Sequence, residues 1–317
     1  MKEFDFIKQY LVNRQSQDGQ LVLGIGDDAA IIRPDTSHDI HISSDMLIGG
    51  RHFFTDVSAA DLAYKVLAVN LSDMAAMGAT PKWALLSVAV PQLQEDWVQD
   101  FCDSLFALAD EYGVNIIGGD TTQGPWAFNV TIMGQTPQGL GLRRDAAQVG
   151  DDIWVTGRLG LACAALFDHW QEVQLDMDVF AECEAARLRP RPRVALGQHL
   201  VSLAHAAQDV SDGFAQDLAH ILKASGVGAV INVDALPTLP ALKHHEQWQH
   251  WVCAGGDDYE LVFTAPKHQR QAILQAAQTT QTAVSLVGVI TEQTDLMLLD
   301  SDGEAVTLEQ WGFDHFE

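Results

Sequence analysis

Basic residues are scarce in this chain. Eighteen lysines and arginines stand against 43 aspartates and glutamates, for a formal net charge of −25. A field of that sign repels phosphate backbones, which argues against nucleic acid as a partner. A phosphorylated small ligand would need a local basic pocket, or divalent cations between its oxygens and the carboxylates. Cysteine is also sparse. Cys102, Cys163, Cys183 and Cys253 form no Cys-x-x-Cys pair and no Cys/His cluster at zinc spacing. No structural zinc site is expected, and the four read as buried free thiols in a reducing cytoplasm. No stretch approaches the roughly 18 consecutive apolar residues of a membrane span. Met1-Lys-Glu-Phe-Asp-Phe6 has acids where a secretory leader has a basic flank and an apolar run, so neither a membrane nor a leader is expected.

The common catalytic signatures are missing too. There is no Gly-x-x-x-x-Gly-Lys-Ser/Thr, which excludes a P-loop. His-Arg-Asp and Asp-Phe-Gly, the protein-kinase signatures, do not occur. Gly24-Ile-Gly26 lacks the third glycine of a dinucleotide fingerprint, and there is no Gly-x-Ser-x-Gly elbow.

What is present is a globular composition, 47% hydrophobic and 19% charged, in 317 residues, a length that points to two domains. Apolar spacing predicts a short amphipathic helix over Phe4–Asn13 and a helix over Glu95–Tyr112. Strands are expected near Leu21 and Ile31, over His38–Leu47, Trp83–Val90, Val114–Thr122 and Ala127–Gln135. The pattern restarts near Gly150, which places a domain boundary between 147 and 148. Beyond it, helices are expected over Leu159–Trp170, Val179–Arg189, Val194–His205, Phe214–Ser225 and Gln269–Gln278. Strands are expected over Ile153–Thr156, Gly228–Val233, Val284–Ile290 and Leu296–Leu299, with a glycine turn into a strand over Gly255–Phe263. Arg187-Leu-Arg-Pro-Arg-Pro-Arg193 reads as cations at a helix C-terminus followed by a proline turn, rather than as a basic patch.

One further helix has the most informative pattern. Ser58 is its expected N-cap, and Gly78 with Pro81 ends it. Between Val66 and Ala79 only Asp73 is charged. Leu62, Val66, Asn70, Asp73 and Met77 fall on one stripe, so Asn70 and Asp73 point the same way. Asp73 is then either a helix end returning to solvent or a metal ligand on a buried helix, because a lone carboxylate is costly to desolvate. Other acids share its setting: Asp27, Asp28, Asp45, Asp120, Asp209, Asp212, Asp257 and Asp258 stand at glycine turns and strand ends. Each alone is an ordinary turn residue. Together with nearby serines they are the oxygen ligands that Mg²⁺ accepts, and such ions neutralise a polyphosphate without a lysine-rich site.

The order of these motifs closely resembles the bacterial thiamine-monophosphate kinases of the aminoimidazole-ribonucleotide-synthetase superfamily. The resemblance is carried by Gly24-Ile-Gly-Asp-Asp-Ala29, Ser43-Ser-Asp45, Gly49-Gly-Arg-His-Phe53, Asp61-Leu-Ala-Tyr-Lys65 and Ala68–Ala79. It continues through Ile117-Gly-Gly-Asp-Thr-Thr122, Asp209-Val-Ser-Asp-Gly213, Gly255-Gly-Asp-Asp-Tyr-Glu-Leu261 and Gly312-Phe-Asp-His-Phe316. Residues 159–203 carry no matching motif. The resemblance implies an α/β (α+β) fold of two lobes: an N-terminal mixed sheet with helices (1–147) that binds ATP and Mg²⁺ and forms a homodimer, and a C-terminal α/β lobe (148–317) that completes the active-site cleft. It implies ATP-dependent phosphorylation of thiamine monophosphate to thiamine diphosphate, in the cytoplasm.

Residue by residue, the resemblance makes Asp28, Ser43, Ser44, Asp45, Asp73, Asp120, Asp209 and Asp212 ligands of several Mg²⁺ ions. It places Gly119, Asp120, Arg144 and Ser211 on ATP, and His52, Glu260 and Phe313 on the thiamine substrate. Two positions depart from the family pattern. Ser43-Ser44-Asp45 stands where Ser/Thr-Thr-Asp is frequent, which keeps the hydroxyls. Phe313 stands where Tyr or Trp is frequent, which keeps the ring and loses a polar handle. The motif set offers no general base, so direct in-line transfer is expected. Two other classes fit the acids: a superfamily ligase that activates an amide or selenide, and a non-catalytic cation- or nucleotide-binding protein. The first cysteine, Cys102, comes too late in the chain for the early reactive residue of selenophosphate synthetases.

Overall fold

Residues 7–14 and 19–314 are described by a computed structural model. They fall into two units, one comprising the chain up to Met74 with Ala79–Gly139, the other Ala75–Gly78 with the chain from Leu140 onward. Both units are built on sheets covered by helices, the α/β class expected.

In the first unit, β1 (Leu21–Leu23) and β2 (Ile31–Ile32) form a small antiparallel ribbon. The main elements are β3 (His38–Ile48), α1 (Ala59–Ala76), β4 (Thr80–Val90), α2 (Glu95–Tyr112), β5 (Asn115–Gln123) and β6 (Ala127–Pro137). The four strands run in the order β3-β6-β4-β5. β4 and β5 are parallel with α2 between them in sequence, and the other pairs are antiparallel, which makes the sheet mixed. α1 starts as expected: Ser58 Oγ accepts from the Asp61 amide at 3.0 Å and donates to Asp61 Oδ2 at 2.7 Å. It is buried almost all round, from Leu62 through Val66, Leu67 and Leu71 to Met74. Gly134 lets α1 lie close to the sheet, since a Cβ there would sit 2.7 Å from the Met74 sulfur.

Two expectations shift. Phe4–Phe6 of the N-terminal helix lie outside the described residues, and Ile7–Leu11 and Val12–Arg14 form π and 3₁₀ turns instead of an α-helix. β4 begins at Thr80 and includes Pro81, at a register shift against β6, the kind of irregularity where a strand tolerates proline.

In the second unit the elements are β7 (Asp152–Thr156), α3 (Leu161–His169), α4 (Met177–Leu188), α5 (Val194–Leu200), β8 (Ala206–Val210), α6 (Phe214–Ser225) and β9 (Gly228–Asn232). They continue with α7 (Trp248–Ala254), β10 (Glu260–Ala265), α8 (Arg270–Thr279), β11 (Val284–Thr291) and β12 (Leu296–Leu299). The six strands run β12-β9-β11-β7-β10-β8. Their core gathers Ile153, Val155, Phe214, Leu218, Ile231 and Val262. A second cluster forms around Trp251, Leu161, Cys163 and Cys183.

The expected helix over Val194–His205 stops at Leu200, and Ala206–Val210 is a strand paired antiparallel with β10. All five of its residues are buried, so it carries no period-two alternation, and its alanines argue locally for helix. α7 was not expected from the sequence; it is a short helix of about two turns packed into the core by Trp251, Val252 and Cys253. The four cysteines are buried free thiols, as read from the sequence. Among the described residues, no helix is long and apolar enough to cross a membrane.

Candidate functional site

The first unit presents its expected ligands from one strand and the helix behind it. Along β3, Ser43 and Asp45 lie on the half-buried face and Ser44 on the exposed one, as strand alternation requires. Ser43 Oγ donates to Asp73 Oδ2 at 2.5 Å. The Asp45 amide donates to Asn70 Oδ1 at 3.2 Å, while Asn70 Nδ2 is held by the Val66 carbonyl at 3.0 Å. Asn70 and Asp73 thus share a face of α1, turned toward β3, as their spacing predicts. Ser44 points the other way and sits 2.9 Å from Thr131 Oγ1 and 3.0 Å from Asn129 Nδ2 on β6. The two adjacent serines therefore serve opposite faces of the sheet.

Asp120 is exposed on β5, opposite Ser87. Gly119 before it has φ of 145°, and a Cβ there would lie 1.7 Å from the Leu86 carbonyl oxygen, so the fit of β5 against β4 already requires glycine. Asp28 is exposed in the turn after β1, its amide donating to Asp27 Oδ1 at 2.8 Å. His52 sits in the turn before α1. The Ile48 amide donates to its Nδ1 at 3.0 Å, which leaves the proton of the neutral ring on Nε2.

In the second unit, three segments singled out by sequence come together. The Asp257 amide donates to the Ser211 carbonyl at 2.7 Å and the Tyr259 amide to the Val210 carbonyl at 2.8 Å. The Phe313 amide donates to the Asp212 carbonyl at 2.9 Å, and Gln216 Nε2 reaches the Phe313 carbonyl at 3.1 Å. Asp209 is buried in β8, in register with Leu261. Asp257 and Tyr259 hold φ of 62° and 51°, left-handed backbone that non-glycine residues adopt at a cost. Asp258 turns its carboxylate inward onto the Gly160 amide at 2.9 and 3.0 Å, ahead of α3. Burial pushes its pKa well up, and the charges of Glu260 and Asp257 add to that shift against the backbone hydrogen bonds. Its role is to hold the start of α3.

Three residues that sequence reasoning did not single out organise this region. Asp217, in the first turn of α6, accepts with Oδ2 from the amides of Ser211, Asp212 and Gly213 at 3.0, 3.0 and 3.1 Å. Gln208 Nε2 donates to its Oδ1 at 2.8 Å. Burial, then the neighbouring Asp212 charge, push Asp217 up to about 6. The other two are Arg193 and Thr156, both on Glu260. An acid in an alternating strand is ordinarily exposed, but Glu260 is buried. Arg193 Nε and Nη2 donate to its Oε2 and Oε1 at 2.7 and 2.5 Å, and Thr156 Oγ1 donates to Oε2 at 2.6 Å. The available signals were a carboxylate in a helix's first turn for Asp217, and an arginine closing a proline turn in an acid-rich chain for Arg193.

Arg144 lies in a short 3₁₀ turn (Arg144–Ala146) whose backbone is latched by Ser225 Oγ to the Arg144 carbonyl at 2.8 Å. Its neighbour Arg143 is engaged by Asp145 at 2.6 and 2.8 Å, whereas the Arg144 side chain is exposed. Phe313 exposes 41% of its surface.

Among the described residues, no three His, Cys, Asp or Glu side chains are gathered closely enough to hold a metal ion by themselves. The donor chemistry still fits Mg²⁺, which prefers oxygen and characteristically takes one or two carboxylates, completing its shell with water and substrate phosphates. Asp73 with the Ser43 hydroxyl is a donor pair of that kind.

Comparison with known proteins follows this geometry. The models for AIR synthase related protein match the chain over residues 26–136 (N-terminal domain) and 148–300 (C-terminal domain). The thiamine-monophosphate kinase of Salmonella typhimurium is 42% identical over 318 residues, covering 99% of this chain and 98% of its own. The chain belongs to the thiamine-monophosphate kinase family. The crystal structure of thiamine-monophosphate kinase from Stenotrophomonas maltophilia is 42% identical, with a TM-score of 0.87 over 96% of this chain and 98% of that one. A structure of AaThiL complexed with AMPPCP and TMP is 27% identical, with a TM-score of 0.77 over 88% and 89% of the two chains.

Proposed function

We propose that the chain transfers the γ-phosphoryl group of ATP to thiamine monophosphate, forming thiamine diphosphate and ADP. The observation that carries this reading is the 42% identity to thiamine-monophosphate kinases over nearly the whole of both chains. Within the second unit, the meeting of the Asp209–Gly213, Gly255–Glu260 and Gly312–Phe313 segments supports it.

The reaction makes few demands on side chains. A phosphate oxygen of thiamine monophosphate attacks the γ-phosphorus, and the bond from that phosphorus to the β,γ-bridging oxygen breaks in line. The acceptor's second pKa is about 6, as for phosphoserine, so it is already ionised near neutral pH and no general base is needed. The difficulty is repulsion between two anions. Mg²⁺, when bound, supplies the positive charge that relieves it. Asp28, Asp45, Asp73 and Asp120 of the first unit, with Ser43 and Ser44, and Asp209 and Asp212 of the second, are the residues we assign to hold such ions. Gly119, Asp120, Arg144 and Ser211 contact ATP, with the exposed Arg144 as the guanidinium clamp. His52, Glu260 and Phe313 bind and orient the thiamine moiety, Phe313 offering a ring face to the thiazolium cation.

The protein acts as a homodimer paired through the first unit. Support comes from β3, an edge strand 11 residues long whose open face exposes Ile42, Met46 and Ile48 beside Ser44. The four buried thiols suit a reducing cytoplasm. Initial rates measured while both substrates are varied test the transfer. Intersecting lines, the mark of a ternary complex, are expected, and parallel lines would rule out direct transfer.

A further inference from the structure

Glu260 is a substrate contact whose own placement is unusual. It lies at the start of β10, 6% exposed, and a buried carboxylate is stable there only if its oxygens are met by donors. Among the described residues those donors are three. Thr156 Oγ1 and Arg193 Nε both donate to Oε2, at 2.6 and 2.7 Å, and Arg193 Nη2 donates to Oε1 at 2.5 Å. A carboxylate oxygen accepts about two hydrogen bonds, so Oε2 is saturated and Oε1 keeps one acceptor position. The arrangement is rigid on every side. Arg193 is buried to a similar degree, at the entry to α5. Thr156 Oγ1 is itself fixed by the Leu261 amide at 2.7 Å. Gly157, at φ of 53°, leaves the space that Glu260 fills, since a Cβ there would stand 1.8 Å from Oε1.

We propose that Arg193, with Thr156, is a positioning residue for thiamine recognition: it locks Glu260 so that the remaining acceptor of Oε1 takes the amino group of the substrate's pyrimidine ring. This rests on the reading of Glu260 as a substrate contact. The chemistry of the ligand matches the one acceptor on offer. In thiamine monophosphate the thiazolium carries no N–H and the alcohol is esterified, so the pyrimidine amino group is the substrate's only N–H donor. The guanidinium fork fixes the plane of the carboxylate as well as its position, a constraint a lysine's point charge does not reproduce. Residues 159–203 thereby contribute to the site through Arg193, although they hold none of the motif residues.

The test is steady-state kinetics of the full chain with ATP, Mg²⁺ and either thiamine monophosphate or its analogue bearing an oxo group in place of the pyrimidine amino group. Arg193→Met is expected to raise KM for thiamine monophosphate about tenfold or more, to leave KM for ATP unchanged, and to shrink the preference for the amino over the oxo substrate. Arg193→Lys is expected to fall between it and the wild type. Because Arg193 acts through Glu260, the double variant Arg193→Met/Glu260→Gln should be no worse than the worse single variant. It removes both charges of the pair together, so it also supplies the measurement if Arg193→Met alone does not fold. Additive losses in the double variant, or equal rises in both KM values, overturn the proposal. A wild-type KM in Arg193→Met beside a raised one in Glu260→Gln overturns it while leaving Glu260 as a substrate contact. A wild-type KM in both variants overturns both.

Discussion

At the residue scale, the protein places its acids in two kinds of setting. Asp73 and Asp45 stand where α1 meets β3, with Ser43 and Asn70 as neighbours, and their oxygens are the ones assigned to cations. Asp217 and Asp258 instead collect backbone amides and hold loops in shape. Asp73→Asn and Asp120→Asn should therefore abolish turnover at every Mg²⁺ concentration while leaving the fold intact, as kcat and a melting curve would show. Removing one of several like charges relieves repulsion, so the metal-free variants are expected to be no less stable than the wild type. Asp217→Ala has the opposite profile. It strips the acceptor from three amides and should cost about 3 kcal/mol, read by urea denaturation. Asp217→Asn, which keeps an oxygen for them, should restore most of that.

That Asp73 and Asn70 share a face of α1 was legible in the sequence, because helical spacing is a local pattern. The contacts of the second kind were not, although Asp258 itself stood out at a glycine turn. The partners of Asp217 and of the Arg193–Glu260 pair become neighbours only through tertiary folding; Arg193 and Glu260 stand 67 positions apart.

At the scale of elements, strong periodicity was enough for the long elements with one solvated face. The bounds of α2 and α6, and the length of β3, follow from it. It failed in β8, where burial removes the alternation, and in α7, which is too short to show a period. α4 illustrates how a weakly amphipathic helix is stabilised by other means. Its buried Arg187 is forked by Glu184 at 2.7 and 2.6 Å, and His169 of α3 reaches the same carboxylate at 3.1 Å. Burial alone would raise the pKa of Glu184, but Arg187 and His169 outweigh it and hold the carboxyl below its ordinary value. A carboxyl with a lowered folded pKa contributes stability above its unfolded value, and that contribution is lost as pH falls through the folded one. Glu184→Gln should cost about 2 kcal/mol at pH 7, because the charge pairing with Arg187 and His169 is lost, discounted from a fully buried pair because Glu184 is partly exposed. The difference from wild type should begin to narrow below about pH 4, the ordinary glutamate range, and close only at a lower pH, where the folded carboxyl takes its proton. Denaturant midpoints at the two pH values measure it.

At the scale of the molecule, a net charge of −25 surrounds a reaction between two anions. In the proposed reaction, cations that enter with the nucleotide offset that repulsion, which ties the acids to the proposed chemistry. Pairing of two copies through the open face of β3 is expected as a dimer in sedimentation at micromolar concentration; a monomer there would remove the dimer and leave the assigned site residues untouched. The reaction itself is tested most directly by following the label. Purified protein is given ATP labelled at the γ-phosphorus and Mg²⁺, with and without thiamine monophosphate. The expected result is labelled thiamine diphosphate in equal amount to ADP when the acceptor is present, and no labelled protein when it is absent. Label that stays in ATP or inorganic phosphate with the acceptor present, or that is trapped on the protein without it, would contradict direct transfer to thiamine monophosphate.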